Sequence, residues 1–543
     1  MTATVTASAP PADRLRDAPR GSMDIEGTTG DAMFEPQPRP GPLAATVIVA
    51  GLFLAILMGA LDQFVVLTAL PNIVTDLGSP TGAAFVVSAY LVTAAVGIAV
   101  FGRLADMYSR RSVMLAGLAT FIVGSMFAGL SQNVDELIAF RGLQGFASNA
   151  FIVVGLTIVA DVFPAHLRAR IVGAFTGTFV IATIAGPFLG SFLVDHSSWR
   201  WVFYINVPIA ALAVAALATQ LPALVPRGGR RFDFLGGALL ATWITALTLA
   251  LVQNADAGWG WGDPRILSLV ASGLVALVAF VAWELRAAQP LVPLRMLRGR
   301  VLAASSAVSF LRGVALFSLY TFLSIYVGLV LLKGAPNAAD TVRDVLYFLV
   351  VPAVFGAAVG SQLVTRTSYR QVTSAGLGLA TLGALLLTQV SRSEPLWTFA
   401  GGILPTGGLI LPLLPIGLGV GLTFPVTVLS AQFSVGPDQT GSATALVQFF
   451  SILGGALGVS ALTALQAFRL SLLSPVVPSG GCPTGVPPTP ACQTYFQALS
   501  LATFTSIQEL FVVAFGLLLL AFLASLLLTG RMPETSAPRA VPA

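Results

Sequence analysis

Residues 44–70 read AATVIVAGLFLAILMGALDQFVVLTAL and include a single charged side chain, Asp62. A helix needs about 20 predominantly apolar residues to cross the hydrocarbon core of a bilayer, and this stretch is longer than that. A charged group inside such a helix costs about 2.5–3.5 kcal/mol on insertion scales, so it is a functional candidate. The stretch therefore predicts a membrane-spanning helix with a carboxyl group inside it.

The rest of the chain has the same apolar character. Of its 543 residues, 56% are hydrophobic and 9% are charged, whereas soluble globular proteins carry about 25% charged residues. So few charges cannot cover a water-facing surface, and lipid is expected to surround most of the chain. The net charge of +5 comes from scattered arginines, so no patch typical of nucleic-acid binding is present. Two cysteines and two histidines argue against a disulfide-rich scaffold and a metal-ligand cluster.

Fourteen apolar segments are long enough to be membrane spans, which predicts an all-α integral membrane fold. They lie near residues 44–70, 83–105, 112–132, 136–160, 170–194, 201–222, 233–253, 265–285, 301–331, 343–364, 371–390, 408–432, 440–466 and 507–529. The first span is too long for a cleavable signal peptide and is expected to act as an uncleaved anchor. An even number of spans places both tails on one side of the membrane.

The distribution of cationic residues predicts which side that is. Twenty of them lie in the tails and in the loops on the tail side, six lie in the opposite loops, and Arg141 and Arg312 fall inside spans. Because positive charge is retained on the cytoplasmic side, both termini are expected in the cytoplasm. A twelve-span chain would place its tails in the same compartment, so the asymmetry predicts the side but not the number of spans.

A weak internal repeat predicts how the spans are grouped. The loop GRLADMYSRRSV (Gly102–Val113) aligns without gaps with SQLVTRTSYRQV (Ser361–Val372), as expected when two six-helix halves share one fold. The predicted organisation comprises a disordered cytoplasmic tail (1–43), a six-helix bundle (44–222), two inserted helices (223–300), a second six-helix bundle (301–529) and a cytoplasmic tail (530–543).

The longest loop on the predicted outer side, residues 467–506, is rich in Pro and Gly and carries Cys482 and Cys492. In an oxidising compartment these cysteines are expected to form a disulfide. The alternative is a pair of free thiols in a flexible loop.

Five motifs in matching order resemble those of one transporter family. They are LDQFVVLTALP (Leu61–Pro71), GRLADMYSRR (Gly102–Arg111), RGLQG (Arg141–Gly145), AGPFLG (Ala185–Gly190) and WRWVFYINVP (Trp199–Pro208). Together they are similar to the major facilitator superfamily, specifically its fourteen-helix drug:proton antiporter branch of EmrB/QacA-like multidrug exporters. The resemblance implies a fold of two six-helix bundles plus two inserted helices. It also implies proton-driven efflux without a bound cofactor.

The sequence departs from this family's pattern at several positions. Met107 and Ser109 stand where the signature loop usually has a basic residue and a glycine, and the second copy of the loop has Thr365 in place of Asp106. The span near 440–466 contains no acidic residue, although some exporters of multiply charged cations carry acids there. This last departure weakens the case for a dicationic drug substrate.

Asp62, Arg141 and Gln144 are the candidate proton-coupling residues. At 1.5 Å per residue, Asp62 lies about 12 Å and Arg141 about 6 Å below the outer ends of their spans, so their long side chains are expected to meet. An acid beside an arginine ionises readily, whereas the same acid desolvated without that partner holds a proton. Gln144 shares the helix face of Arg141. The alternatives are a fixed structural ion pair and ordinary polar packing between spans.

Two further motifs are expected to serve the conformational cycle. The gating motif consists of Gly102, Asp106, Arg110 and Arg111, and its charges are expected to hold one end of the second span in one state and release it in another. The antiporter motif consists of Gly186, Pro187 and Gly190, which permit close helix approach and a bend. The simpler interpretation of the gating motif is that its positive charges only set the membrane topology. The simpler interpretation of the antiporter motif is ordinary packing at a glycine.

A second set of residues is assigned to the substrate cavity. Arg312 lies eleven residues into its span, and Tyr320 and Tyr326 are expected on the same face, although ordinary packing is the simpler interpretation of aromatic side chains in a span. Arg312 is expected to pair across the cavity, to attract an anionic substrate group or to reach water, and the sequence does not separate these. Pro412, Pro415 and Pro425 predict an interrupted helix beside the transport site.

The leading functional hypothesis is proton-coupled efflux of hydrophobic or amphiphilic small molecules, such as drugs, across the cytoplasmic membrane. Export of a lipid or a lipid-like conjugate is the second hypothesis, and a non-transporting membrane receptor or scaffold is the third. No histidine, HExxH or GxSxG lies in a span, which argues against an intramembrane enzyme. The expected partners are the substrate and the bilayer; a monomer is expected to suffice, and an accessory envelope protein is left open.

Overall fold

A computed structural model describes residues 41–78, 82–163, 165–223, 232–256, 260–331, 338–389, 396–399, 402–405, 409–436, 439–473 and 490–530. Within these ranges the protein is almost entirely helical, as its apolar spans predict. In lipid an α-helix satisfies every backbone donor and acceptor internally, and for this reason long apolar segments fold as helices.

The first bundle is built from eight helices of the described residues, which form six spans. These are α1 (Pro42–Asp76), α2 (Gly82–Met107), α3 (Arg110–Leu130), α4 (Val134–Ser148), α5 (Ala150–Val162), α6 (Ala165–His196), α7 (Trp201–Tyr204) and α8 (Asn206–Gln220). The fourth span consists of α4 and α5, which meet at Asn149, and α7 and α8 together form the sixth span.

The remaining helices form the insertion and the second bundle. The inserted pair is α9 (Phe234–Asp256) and α10 (Pro264–Glu284), followed by a 3-10 helix over Leu294–Arg298. The second bundle contains α11 (Arg300–Ile325) with a π-helical continuation (Tyr326–Leu331), α12 (Ala338–Leu363), α13 (Tyr369–Leu387), α14 (Ile410–Phe433), α15 (Thr440–Leu473) and α16 (Pro490–Ser525).

The helices agree with the predicted fourteen spans. Among the residues that the structure describes, twelve helical segments are long and apolar enough to cross a membrane. The other two spans are supplied by α6, with 32 residues, and α13, with 19 residues. At 1.5 Å per residue these two helices are about 48 and 28 Å long, enough to cross or nearly cross a hydrocarbon core of about 30 Å. The predicted fold class is confirmed.

Packing between helices follows the two halves of the chain. In the first bundle α1 packs on α6 and α8, and α4 packs on α2 and α3; in the second, α14 packs on α12 and α13, and α11 packs on α15 and α16. The bundles meet mainly along two helix pairs, α2 with α15 and α6 with α12, and α1 also contacts α11 and α12. The inserted α9 packs on α10 and also on α2 and α15. The insertion therefore lies beside one of the two seams between the bundles.

The prediction of an interrupted helix near residues 408–432 is wrong. One continuous helix, α14, runs through Pro415 and Pro425. A Cβ atom at Gly419 would lie 2.7 Å from the backbone nitrogen of Ala380. Glycine here lets α14 approach α13 closely, and proline is tolerated in spans where neighbouring helices and side chains compensate the freed backbone groups.

The long outer loop predicted at 467–506 is shorter than expected. The α15 helix continues to Leu473 and α16 begins at Pro490, while residues 474–489 lie outside the described ranges. Arg469 Nε donates a 2.5 Å hydrogen bond to Glu509 Oε2, which joins the two helices beyond the apolar core of the span. The loop preceding α14 contains a two-stranded antiparallel hairpin, β1 (Leu396–Phe399) and β2 (Gly402–Pro405).

Two glycines of the antiporter motif place α6 directly against α1. A Cβ at Gly186 would lie 2.5 Å from the Cβ of Phe64, and a Cβ at Gly190 would overlap Thr68 Oγ1 and lie 2.6 Å from the backbone oxygen of Val65. Small residues allow this approach because van der Waals packing is a main driving force for helix association in lipid. The same stretch of α1 carries Asp62, so the motif sets the packing next to the buried acid.

We predict that Gly190→Ala lowers the free energy of unfolding by about 1–3 kcal/mol, the usual cost of overpacking a tight contact. The added methyl group has to displace α6 from the backbone of α1. The matched control is Gly516→Ala on α16, where nothing lies within 4 Å of the added Cβ. Thermal unfolding of the purified protein in detergent measures both variants, and equal unfolding temperatures would contradict the close α1–α6 packing.

Candidate functional site

The candidate site is centred on the carboxylate of Asp62, on α1, which is 1% exposed. Arg141 Nη1 on α4 donates to Asp62 Oδ2 at 2.6 Å. Gln144 Nε2 on α4 and Asn206 Nδ2 on α8 both donate to Oδ1, at 2.8 and 2.9 Å. The carboxylate therefore accepts three hydrogen bonds, one of them from a guanidinium group, and links three spans of the first bundle.

A second layer of contacts fixes the donors of this site. Gln144 also accepts from Arg141 Nη1 at 2.5 Å and donates to Ser125 Oγ on α3 at 2.7 Å. The guanidinium of Arg141 lies 4.1 Å from the ring centroid of Tyr90, on α2. This distance permits a cation–π interaction. Every one of these side chains is buried, so the network is shielded from competing water.

Glycines let the backbones of the site come together. A Cβ at Gly124 on α3 would lie 2.9 Å from the backbone nitrogen of Gln144, and a Cβ at Gly145 would lie 2.7 Å from the Cα of Tyr90. Larger residues would push α3 and α2 away from α4. Gly145, the last residue of the RGLQG motif, thus allows the helix contact that supports the arginine and glutamine of that motif.

The structure brings together all three residues predicted for proton coupling, Asp62, Arg141 and Gln144. Sequence reasoning missed Asn206 and Ser125, although Asn206 lies inside the quoted WRWVFYINVP segment, which was used only as a family motif. A buried amide at the start of a span was a usable signal, because polar side chains in spans find partners on neighbouring helices.

The chemical capacity of this site is to hold one proton or one ion pair. With the donors in place, three hydrogen bonds and one positive charge compensate the buried carboxylate. These partners come from α4 and α8, so the carboxylate keeps them only while both helices stay in contact with α1. Within the described ranges, no group of three His, Cys, Asp or Glu side chains is placed to hold a metal ion.

The gating-motif residues lie together at the end of α2 that is predicted to face the cytoplasm. Arg110 Nη1 lies 3.9 Å from Asp106 Oδ1, and Arg110 Nε donates to Asp161 Oδ2 of α5 at 3.0 Å. Arg111 donates to the backbone oxygen of Ala218 on α8. Asp161, which the sequence analysis did not select, therefore makes the shorter ion pair with Arg110. Gly102 lies nearby, where a Cβ would be 3.4 Å from Val153.

At the opposite end the two bundles are joined directly. Arg343 Nη1 on α12 donates to Ser191 Oγ on α6 at 3.1 Å, and Tyr347 Oη donates to the backbone oxygen of Ile184 at 2.8 Å. Arg343 also pairs with Asp340 and Asp344 of its own helix. These contacts hold α6 against α12 on the side predicted to face outward.

The three residues assigned to a substrate cavity are all buried but do not share one face. Arg312 is 1% exposed and donates to Thr423 Oγ1 of α14 at 3.3 Å. The Tyr320 ring packs edge-on against Phe64 of α1, with the ring centroids 6.1 Å apart. The Tyr326 ring instead contacts Phe504 and Phe511 of α16. The expectation that both tyrosines line one face is therefore wrong, because they point toward different helices.

The predicted disulfide falls partly outside the described residues. Cys492, near the start of α16, is buried and takes part in a disulfide bond. Cys482, the other cysteine of the chain, lies outside the described ranges. Their pairing stays a prediction.

These features define a class of protein. Fourteen spans, two packed bundles and a buried acid that is paired with an arginine and bonded from two neighbouring spans are typical of a secondary transporter. The sequence model of the Major Facilitator Superfamily matches residues 52–459, and the chain belongs to that family. It is therefore a multi-pass membrane transporter and, as predicted, not an enzyme.

Similar proteins include several transporters. An uncharacterized MFS-type transporter of Mycobacterium tuberculosis is 33% identical over 90% of this chain and 70% of its own length. The multidrug transporter protein MdtP of Bacillus subtilis is 30% identical over 78% of this chain and 76% of its own length. A crystal structure of a POT family transporter aligns with a TM-score of 0.60 at 15% identity, covering 89% of this chain and 96% of that one, which shows a shared fold alone.

We predict that Asp62 and Arg141 are energetically coupled. Arg141→Met leaves the carboxylate of Asp62 buried without its cation and should destabilise the protein by about 3–5 kcal/mol. Asp62→Asn in the same chain removes the unpaired charge, so the double variant should recover about 2 kcal/mol relative to additive effects. A double-mutant cycle from denaturant unfolding in detergent measures this recovery. Strict additivity would show that the two charges do not interact.

Proposed function

We propose that the chain exports hydrophobic or amphiphilic small molecules in exchange for protons across the cytoplasmic membrane, with both termini in the cytoplasm. The observation that carries this proposal is the fully buried Asp62 carboxylate, held by Arg141, Gln144 and Asn206. A membrane-embedded acid is costly, so a role in the transport cycle explains why it is present. No bound cofactor is required, because the proton gradient supplies the driving force.

Proton binding has a direct structural consequence in this arrangement. The ionised carboxylate ties α1 to α4 and α8, and protonation replaces a hydrogen-bond acceptor by a group that also needs an acceptor. Protonation also leaves the positive charge of Arg141 uncompensated in a buried site, which is strongly unfavourable. The proton thus disfavours this arrangement of the bundle relative to one in which Arg141 lies elsewhere. A difference of a few kcal/mol is enough to shift the population between two such states.

The charged contacts at the two ends of the molecule fit the same cycle. On the predicted outer side, Arg343 and Tyr347 join α12 to α6, so the bundles are closed there. On the predicted cytoplasmic side, Arg110 links α3 to Asp161 of α5. We assign a gating role to both clusters, because switching between two packed states requires contacts that form in one state and break in the other.

The proposed substrate class is supported by the relatives. Two Bacillus subtilis proteins that are 30% identical to this chain are named multidrug transporter protein MdtP and multidrug resistance protein 3. The apolar interior around α1 and α11 is compatible with compounds of this kind.

Export of a lipid-like conjugate is the second candidate. A shallow cavity of about 490 Å³ lies between α6 and α12 and is lined by Ile181, Ile184, Ala185, Phe188 and Tyr347. An apolar groove between the bundles is suited to a substrate that enters sideways from the bilayer. A panel of drugs and lipids, tested in cells that overexpress the chain, separates the two candidates. A compound that is exported accumulates less in these cells than in control cells, and its chemical class shows which candidate is right.

We predict that Asp62→Asn abolishes proton-coupled efflux, because Asn keeps the shape of the side chain but cannot carry the proton. The variant also leaves Arg141 without its counter-charge, so transport is compared at equal amounts of folded protein. The measurement is substrate-induced proton flux in proteoliposomes with an internal pH-sensitive dye. The matched control is Asp135→Asn, an exposed acid in the first turn of α4. Transport against a gradient at the normal rate by Asp62→Asn would show that Asp62 is not the proton site.

A further inference from the structure

The second bundle contains one buried cation that has no acidic partner within the described residues. Arg312 on α11 is 1% exposed, its Nη1 donates to Thr423 Oγ1 at 3.3 Å, and its Nη2 has no hydrogen-bond partner. The ring of Phe424 lies 5.0 Å from the guanidinium carbon. One long hydrogen bond and one aromatic face leave most of the guanidinium donors unused.

Two buried hydroxyls precede this arginine along the same helix. Ser306 and Ser309 are 2% and 0% exposed, and neither Oγ has a hydrogen-bond partner. A spacing of three residues places Ser306, Ser309 and Arg312 on neighbouring turns of one side of α11. By contrast, the adjacent Ser305 is bonded to Ser430 of α14. Ser306, Ser309 and Arg312 thus place three groups with unused donors within two turns of α11; a further buried hydroxyl without a partner, that of Ser318, lies beyond them on the same helix.

The position of Arg312 corresponds to that of the proton site in the other bundle. Asp62 and Arg141 lie between the first and fourth spans of the first bundle, and Arg312 and Thr423 lie between the first and fourth spans of the second. In the first bundle the arginine is neutralised by an acid of the chain. In the second bundle the arginine itself lies on the first span, and its partner on the fourth span is a threonine. No acid among the described residues compensates its positive charge.

Such an arrangement is unfavourable unless something completes it. Buried polar groups are almost always hydrogen-bonded, and an unpaired buried charge is among the costliest features of a protein interior. The planar guanidinium group pairs best with carboxylates and phosphates, which accept two parallel hydrogen bonds. Serine hydroxyls can donate to the remaining oxygens of the same anion.

We propose that Arg312, Ser306 and Ser309 bind the anionic group of the transported substrate, so that the substrate is an amphiphile with a carboxylate or phosphate and an apolar body. This proposal rests on the proposed transport function and adds the charge of the substrate to it. A small organic acid and a lysophospholipid present the same anionic chemistry, and the experiment below separates these two sources.

The test is equilibrium binding to the full chain in nanodiscs of zwitterionic lipid, without a proton gradient. The probes are 1-naphthoate, uncharged 1-naphthamide and cationic 1-naphthylmethylammonium, which share one apolar body. The natural protein should bind 1-naphthoate at least about tenfold more tightly than the amide, and the cation most weakly. Lysophosphatidate, added as a competitor, identifies the lipid as the preferred source if it displaces 1-naphthoate at lower concentration.

Variants then assign the preference to Arg312. Arg312→Met, which keeps the length and apolar contacts of the side chain, should lose the preference for 1-naphthoate, whereas Arg312→Lys should keep part of it. Ser309→Ala should weaken 1-naphthoate binding and leave amide binding unchanged. Arg298→Met, at an exposed arginine before α11, is the matched control and should behave like the natural protein. The unfolding temperature of each variant in the nanodisc shows that it is folded.

The proposal is overturned if the natural protein does not bind 1-naphthoate more tightly than the amide, or if folded Arg312→Met keeps the preference. Either result would leave Arg312 as a structural residue of the second bundle. Failure of the proposed function looks different, because binding in nanodiscs needs no proton. A protein that prefers 1-naphthoate but moves no protons would refute proton coupling alone, and one that exchanges protons for uncharged compounds without this preference would refute the anion site alone.

Discussion

The ion pair between Asp62 and Arg141 is the interaction on which the first bundle depends. Both charges are removed from water, at a desolvation cost of several kcal/mol per ion. Their 2.6 Å contact compensates this cost only when further hydrogen bonds are also made to the two groups. Gln144 and Asn206 supply those bonds, so α1, α4 and α8 have to converge at one point. Gly124 of α3 and Gly145 of α4 allow the close backbone contacts around this point.

The same constraint links structure to transport. Three helices have to be in place to stabilise this negative charge, and for this reason we propose that protonation and helix arrangement are coupled. In this proposal, adding the proton changes the relative free energies of the helix arrangements, and changing the arrangement changes the free energy of proton binding. The contacts between α6 and α12 lie at one end of the molecule, and those of Arg110 lie at the other. A rearrangement of the bundles would break or re-form these contacts.

The sequence was sufficient to predict the fold and the core of the site. Long apolar segments predict the spans, and a single acid and a single arginine at similar depths predict that Asp62 and Arg141 meet. Asn206 was missed because an amide in a span is a weaker signal than a charge: it predicts a partner on a neighbouring helix but does not show which one. The interruption of α14 was wrongly predicted because glycine and proline break isolated helices, whereas in lipid the glycines of this helix serve close packing. The directions of Tyr320 and Tyr326 depend on the helices that surround α11, which no local pattern shows.

The buried arginine of the first bundle is paired with an acid, whereas that of the second bundle has no acidic partner among the described residues. If Arg312 binds an anionic substrate, this difference has an electrical consequence. If the substrate carries one negative charge, exchange for one proton moves two elementary charges inward. Each is worth about 2.3 kcal/mol per ~100 mV of membrane potential. Export would then be driven by the potential as well as by the pH gradient, whereas export of a monovalent cation would be electrically neutral and would gain nothing from the potential.

The central claim is that Asp62 takes up and releases the transported proton. Infrared difference spectra of the purified protein, recorded between acidic and alkaline pH, measure this directly and require no substrate. We expect a carbonyl band of buried protonated carboxyl groups that disappears at alkaline pH, loses the Asp62 contribution in Asp62→Asn and is unchanged in Asp106→Asn. An unchanged band in Asp62→Asn would contradict the account, because another group would then hold the proton.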